Sequence, residues 1–246
     1  MTISTTGPAV VATNISVAYR VDPVLRGVNV EVPQGVVMGI VGPNGSGKST
    51  LLKSMLGLIP TLSGHTEFFG QQLGAVRNHI GYMPQQTSVD WDFPTTVADV
   101  VLMGTYGRLG WFRRPGKAEK QRAADAMEQT GITNLADRQI GQLSGGQRQR
   151  VFLSRTLAQQ PDLYFMDEPF QGVDAYSQQT IVDVMHRLRG EGKTIILVHH
   201  DLKTVPDYCD QVTMLNTGRV VSSGPVGSHF TEDLIRIAYG LEAQRP

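Results

Sequence analysis

The stretch GPNGSGKS at residues 42–49 constrains this chain more than any other. It follows VVMGIVG, a continuous apolar run ending in glycine as a buried strand does. It opens a segment from about Ser49 to Met55 that is patterned as a helix and ended by Gly57 and Pro60. The match to G-x-x-x-x-G-K-[ST] is complete, in the strand-to-helix context that the motif requires. Gly42, Gly45 and Gly47 let the backbone curl until its N–H groups converge on phosphate oxygens. Pro43, Asn44, Ser46 and Thr50 complete the binding stretch. The helix N-terminus adds partial positive charge at the same place. Lys48 supplies a mobile cation for β- and γ-phosphates, and Ser49 offers a hydroxyl to Mg²⁺.

The rest of the chain reads as a scaffold for that loop. VATNISVAYR and VNVEV alternate, so residues 9 to about 41 read as short strands. Residues 62–84 are a further strand-rich stretch punctuated by Gly64, Gly70 and Gly81. From about 95 to 160 the pattern turns helical. Thr96 and Asp99 form a capping box before VVLM, KAEKQRAADAMEQTG is a polar helix closed by Gly131, and GGQRQRVFLSRTLAQQ is amphipathic. In the last of these Val151, Leu153, Leu157 and Ala158 form the apolar side, Arg148 and Arg150 the polar one, and Pro161 stops it. Strand LYFM, helix SQQTIVDVMHRLRGEG, strand TIILV, a hairpin at Thr217 and Gly218, and a final helix TEDLIRIAYG follow. Strands alternating with helices at this spacing predict an α/β fold with a largely parallel sheet, and a helical lobe at roughly 86–160 inserted into it.

Composition excludes several classes. A length of 246 residues suits one large domain, or one with an inserted lobe. Lys+Arg and Asp+Glu both number 22 and there is no polybasic run, which argues against nucleic-acid binding by broad electrostatics. Cys209 is the single cysteine, so no internal disulfide forms; it fits a reducing compartment and a small packed residue. MTISTTGPAVVATN lacks the basic and apolar regions of a signal peptide. No stretch reaches the roughly 18–20 apolar residues of a bilayer span, and VNVEVPQGVVMGIVG is interrupted by Glu31, Pro33 and Gln34. The expectation is a soluble chain that works at a membrane only where a partner holds it.

LYFMDEP at residues 163–169 supplies the second chemical element. Four apolar residues form a buried strand, and Asp167 and Glu168 emerge at its carboxyl end, where open parallel sheets place their ligands. Asp167 suits Mg²⁺, and Glu168 suits polarisation of an attacking water for in-line displacement at a γ-phosphate. LSGGQ, residues 143–147, precedes this strand. It reads as a helix N-terminus whose N–H groups and Ser144 hydroxyl grip a phosphate, with an ordinary N-cap as the plainer reading.

The phosphate loop, LSGGQ and the acidic strand, in that order, resemble the ATP-binding cassette family over nearly the whole chain, about residues 9–240. The resemblance implies a P-loop NTPase (RecA-like) core with a mainly parallel sheet, an N-terminal antiparallel β subdomain and the inserted helical lobe. It implies ATP with Mg²⁺, and a head-to-tail homodimer in which Ser144, Gly145, Gly146 and Gln147 grip the ATP held by the other subunit. Tyr19 then matches the aromatic that stacks on adenine, Gln85 in YMPQ the glutamine that reaches Mg²⁺ and senses the γ-phosphate, and Asp174 the aspartate that couples the two sites. His200 matches the histidine that contacts the γ-phosphate, whereas strand alternation sends His199 to the opposite side for packing or a surface contact.

SVDWDFP, just past Gln85, and YGRLGWFRRP place Trp91, Phe93, Trp111 and Phe112 in loops, as an interface hot spot would. With DVVLMG, ADRQIG, DEPFQGVDA and VHHDL they look like the ATPase subunit of manganese, zinc or iron importers. That resemblance implies a chain held at the cytoplasmic face of the cell membrane by a separate integral permease, with an extracytoplasmic metal-binding protein as an indirect partner. An importer ATPase for another cargo, such as chelated iron, is the alternative. Gln171 departs from the pattern, because the subfamily more often has a small residue there. Asp90 and Asp92 lack a third ligand nearby in sequence, so the transported ion is not expected to touch this chain.

Overall fold

Apolar alternation along VVATNISVAY and DPVLRGVNVEV builds β1 (Val10–Tyr19) and β2 (Asp22–Val32). They pair antiparallel from Val10↔Val32 to Tyr19↔Asp22. The sequence pattern predicts short strands here. The observed strands run to 10 and 11 residues because register shifts absorb the breaks in alternation between Ala12 and Ala18. β4 (Ser63–Phe68) pairs with β1, and β5 (Gln71–Gln72) with β4, giving an antiparallel sheet of order β2-β1-β4-β5. The computed structural model describes residues 6–19, 22–86, 93–109 and 113–241. Asp90, Trp91, Asp92, Trp111 and Phe112 lie outside the described residues. The chain divides into two units, Met1–Arg77 with Thr194–Pro246, and Asn78–Lys193.

The first unit holds the N-terminal sheet and the strand that carries the phosphate loop. β3 (Val37–Val41) runs parallel to β8 (Thr194–Val198) and to β9 (Gln211–Asn216). Every residue of β3 and β8 is buried, which is why VMGIV and TIILV are unbroken rather than alternating. β9 turns back into β10 (Arg219–Pro225) at Thr217 and Gly218. Both turn residues have positive φ, 43° and 75°, as the hairpin reading requires. Around these strands stand α1 (Lys48–Met55), α2 (Leu73–Val76), α7 (Val205–Tyr208), α8 (Val226–His229) and α9 (Glu232–Tyr239). Helix α2 and a 3₁₀ turn at Arg77–His79 occupy sequence that reads as strand, because the turn at Gly70 (φ 71°) leaves only β5 for pairing.

The second unit pairs β6 (Ile80–Met83) parallel to β7 (Leu163–Asp167) and adds α3 (Val97–Met103), α4 (Lys117–Gln129), α5 (Gly145–Ala158) and α6 (Ala175–Gly190). Helices α3, α4 and α5 pack on one another, and α5 also packs on α6 and β6. The Thr96 capping box forms: its hydroxyl accepts from Asp99 N–H at 3.2 Å, and Asp99 Oδ2 accepts from Thr96 N–H at 3.4 Å. Helix α5 buries Val151, Leu153, Leu157 and Ala158 as the pattern predicts. Arg150 corrects the expectation of a polar outer side. Its guanidinium is buried and donates to the carbonyls of Thr130 (3.3 Å) and Gly131 (3.2 Å), closing the C-terminal end of α4. Among the described strands outside the N-terminal sheet, pairing is parallel except in the β9–β10 hairpin, so the chain is α/β with a mainly parallel sheet. Among the described residues no helix is long and apolar enough to cross a membrane.

Candidate functional site

In the first unit the phosphate loop springs from the buried end of β3. Gly42 takes φ 150°, and a Cβ there would stand 2.1 Å from the Leu215 carbonyl, so no larger residue fits. The loop closes with Ser46 N–H donating to Pro43 O (3.1 Å), and Gly218 N–H donating to Ser46 O (3.1 Å) ties it to the β9–β10 turn. Gly47, left-handed at φ 101°, starts α1. Lys48 is buried and curls across the loop, donating from Nζ to Gly42 O (2.8 Å) and Pro43 O (3.0 Å). The Ser46 hydroxyl is buried with no hydrogen-bond partner. The loop thus carries a cation folded over its own carbonyls and a buried, unsatisfied hydroxyl. Ser49 and Thr50 follow in the first turn of α1. Tyr19 ends β1 and is 53% exposed.

The two histidines after β8 separate as alternation predicts. His200 is exposed, while His199 is 3% exposed. His199 Nε2 lies 2.8 Å from Thr204 Oγ1 and 2.7 Å from Tyr208 OH. Burial, and then the adjacent His200, push its pKa down to about 4, so it is neutral at physiological pH. His199 therefore anchors the loop that presents His200. Cys209 is a packed residue, its thiol pushed up to about 12 chiefly by burial.

In the second unit Asp167 ends β7 with no exposure, and Glu168 follows in the left-handed region at φ 52°. The Glu168 carbonyl accepts from Gln171 N–H (3.2 Å) and Gln149 Nε2 (3.3 Å), which fixes the turn. Gln85 reaches this turn from the end of β6. Its Nε2 donates to Glu168 Oε2 at 3.0 Å and to Gln171 Oε1 at 2.8 Å. Tyr82, on β6, is pushed up to about 12 by burial and next by the Asp167 charge. The Gln85 amide oxygen and the Asp167 carboxylate in this unit, and the Ser49 hydroxyl in the other, are each hard oxygens of the kind that Mg²⁺ prefers.

The signature sequence is a capping box. Ser144 Oγ accepts from Gln147 N–H (3.3 Å), and Gln147 Oε1 accepts from Ser144 N–H (3.0 Å). The plainer reading of Ser144 as an N-cap is thus realised, and Gly145 and the buried Gly146 form the first turn of α5. Gly146 faces the start of α6, where Asp174 is the N-cap. Asp174 accepts from Ser177 N–H and Ser177 Oγ, both at 2.9 Å, and the first of these leads in holding its carboxyl below the usual range. Gln86 Nε2 donates to Gly145 O at 2.7 Å. Gln85, Glu168, the signature turn and Asp174 are therefore gathered in this unit, and Lys48, Ser49, Tyr19 and His200 in the other. The supporting amides and hydroxyls of Gln86, Gln149, Thr204 and Tyr208 escape sequence reading, because nothing in their spacing marks them.

An α/β protein with this phosphate loop, acidic strand end and signature turn is a nucleotide-binding protein of the transport ATPase class. A model of the ABC transporter family matches residues 25–171, and the chain belongs to that family. It is 56% identical to the zinc transport system ATP-binding protein TroB of Treponema pallidum, over 97% of this chain and 89% of the relative. It is 49% identical to the manganese transport system ATP-binding protein MntB of Bacillus subtilis, over 92% of this chain and 90% of the relative. Among solved structures, a metal-chelate type ABC transporter in an inward-facing conformation matches with a TM-score of 0.83 at 26% identity, covering 95% of this chain and 89% of that one. A dimeric ATP-binding cassette in a post-hydrolysis state, bound to ADP and Pi, matches with a TM-score of 0.79 at 25% identity, covering 88% and 98%.

Proposed function

We propose that the chain is the ATP-hydrolysing subunit of an importer for a divalent metal ion, manganese first, with zinc or iron as the other cargoes. The carrying observation is its likeness, over more than nine-tenths of its length, to ATP-binding proteins named for zinc and manganese transport. Residues 9–240 act as one cassette with a helical lobe at about 86–160. Lys48 and the backbone of residues 42–50 bind the phosphates, and Tyr19 stacks on adenine. Ser49, Gln85 and Asp167 hold Mg²⁺, which neutralises phosphate charge when bound. Glu168 polarises the attacking water and His200 contacts the γ-phosphate. Ser144 to Gln147 grip the nucleotide of a second copy, and Asp174 couples the two sites. The homodimer sits at the cytoplasmic face of the membrane on a separate permease, fed by an extracytoplasmic metal-binding protein. ATP closes the dimer and hydrolysis reopens it, and the segment around SVDWDFP passes that motion to the permease.

The test is elemental analysis of cells that depend on this chain or its Glu168→Gln form, grown at limiting metal. The variant should bind ATP, persist as an ATP-dependent dimer and lower one metal selectively. Unchanged manganese, zinc and iron would remove the metal-ion cargo. One observation favours a second reading, a chelated metal as cargo: the match to a metal-chelate type transporter. A deficit seen only when the metal is supplied as a chelate would select it.

A further inference from the structure

Gln171 is one departure of this sequence from the importer pattern that it resembles. Its side chain is not idle. The Oε1 oxygen accepts from Gln85 Nε2 at 2.8 Å, and the same nitrogen donates to Glu168 Oε2 at 3.0 Å. A small residue at position 171 has no atom to make the first of these bonds. The acceptor is also well fixed, since the Gln171 N–H bonds the Glu168 carbonyl, which Gln149 holds in turn. Gln85 is thereby clasped between two acceptors on one rigid turn, and the neighbouring Gln86 is tied to Gly145 O.

We propose that Gln171 is a positioning residue that parks Gln85 on Glu168 in the nucleotide-free chain and so sets how readily Mg²⁺-ATP is taken up. This rests on the reading of Gln85 as the side chain that reaches Mg²⁺ and senses the γ-phosphate. In the proposed exchange the amide turns so that its Oε1 faces the cation, and Nε2 leaves the Glu168–Gln171 turn. A binding-competent state that is only partly populated weakens apparent affinity in proportion. Removing one hydrogen bond of ordinary worth from the parked state shifts that population about five-fold. The parked amide also occupies an oxygen of the carboxylate assigned to polarise water, so the clasp restrains turnover until nucleotide draws Gln85 away.

The experiment measures dissociation constants of the full chain for Mg²⁺ with a non-hydrolysable ATP analogue, and for ADP without Mg²⁺. The variants are Gln171→Ala and Gln171→Met, the second keeping length and packing without the acceptor, each alone and with Gln85→Ala. Both should bind the Mg²⁺-analogue complex about five-fold more tightly and ADP as the wild type does, and neither should alter affinity when Gln85 is alanine. Unchanged or weaker binding of the analogue, a shift that survives Gln85→Ala, or a shift in the alanine variant alone would overturn the clasp. A wild-type chain that binds neither nucleotide would overturn the ATPase reading itself, and the clasp with it. Wild-type ADP binding confines any failure to Gln171.

Discussion

Gly146 is the position where the signature turn and the α6 cap compete for the same space. A Cβ built on it would lie 2.3 Å from Asp174 Oδ2, 2.5 Å from Ser177 Oγ and 3.0 Å from Ser177 Cβ. The substitution Gly146→Ala must therefore displace the Asp174 carboxylate by about 1 Å, since ordinary contacts begin near 3.4 Å. That movement breaks the two 2.9 Å bonds to Ser177 that cap α6. Losing such a cap costs about 1 kcal/mol, and forcing a methyl into a filled corner adds about 1–3 kcal/mol. The helix-propensity gain of alanine over glycine returns about 1 kcal/mol at most, less in a first turn. The net expectation is a loss of about 2 kcal/mol. With a urea slope of about 2–3 kcal/mol per molar, the midpoint should fall by about 0.7–1 M. Gly190 is the control. It ends α6 with nothing within 4 Å of its would-be Cβ, so Gly190→Ala should raise the midpoint slightly. Urea titrations followed by circular dichroism decide the matter. A Gly146→Ala chain as stable as wild type would refute the packing argument, and a loss equal in both variants would trace the effect to glycine content.

Two further outcomes follow from caps and burial. The neutral His199, with a folded pKa of about 4 against 6.5 for the free group, contributes stability that is fully present above pH 6.5 and lost as pH falls toward 4, because the unfolded chain then binds the extra proton. The loss by pH 4 is about 3 kcal/mol, and urea midpoints of His199→Gln should be flatter than wild type across that window; parallel curves would contradict it. Thr96→Ala should cost about 1 kcal/mol by removing the bond to Asp99 N–H, read as a lower urea midpoint, and no change would mean that Asp99 alone caps α3.

What was legible in the sequence divides by physical cause. Residues 42–50, Asp167, Glu168 and Ser144 to Gln147 stand at spacings that their chemistry imposes, and the strands beneath them are unbroken apolar runs because both faces are covered. The hairpin at Thr217–Gly218 and the Thr96 cap were readable because turn and cap geometry demand particular residues. Arg150 was not. Its place in an amphipathic pattern says only that it is polar, and only the arrival of the α4 C-terminus shows that two carbonyls bury it. The helix at Leu73–Val76 was hidden for the opposite reason, being too short for any period to show.

The supporting residues share one trait that explains both their invisibility and their use. Those that hold motif residues in place, Gln171 for Gln85 and Thr204 with Tyr208 for His199, are neutral and bond through amides or hydroxyls. A charged support beside a phosphate site would itself attract or repel nucleotide and cation, whereas a neutral one biases a conformation and leaves the local field unchanged. His199 makes the point most sharply, since it is an imidazole that burial keeps uncharged beside an exposed one. Reversing the two roles would place the exposed ring in the core and the loop anchor in solvent. The order of burial across that dipeptide, not the mere presence of two histidines, leaves His200 rather than His199 at the surface, as the proposed γ-phosphate contact requires.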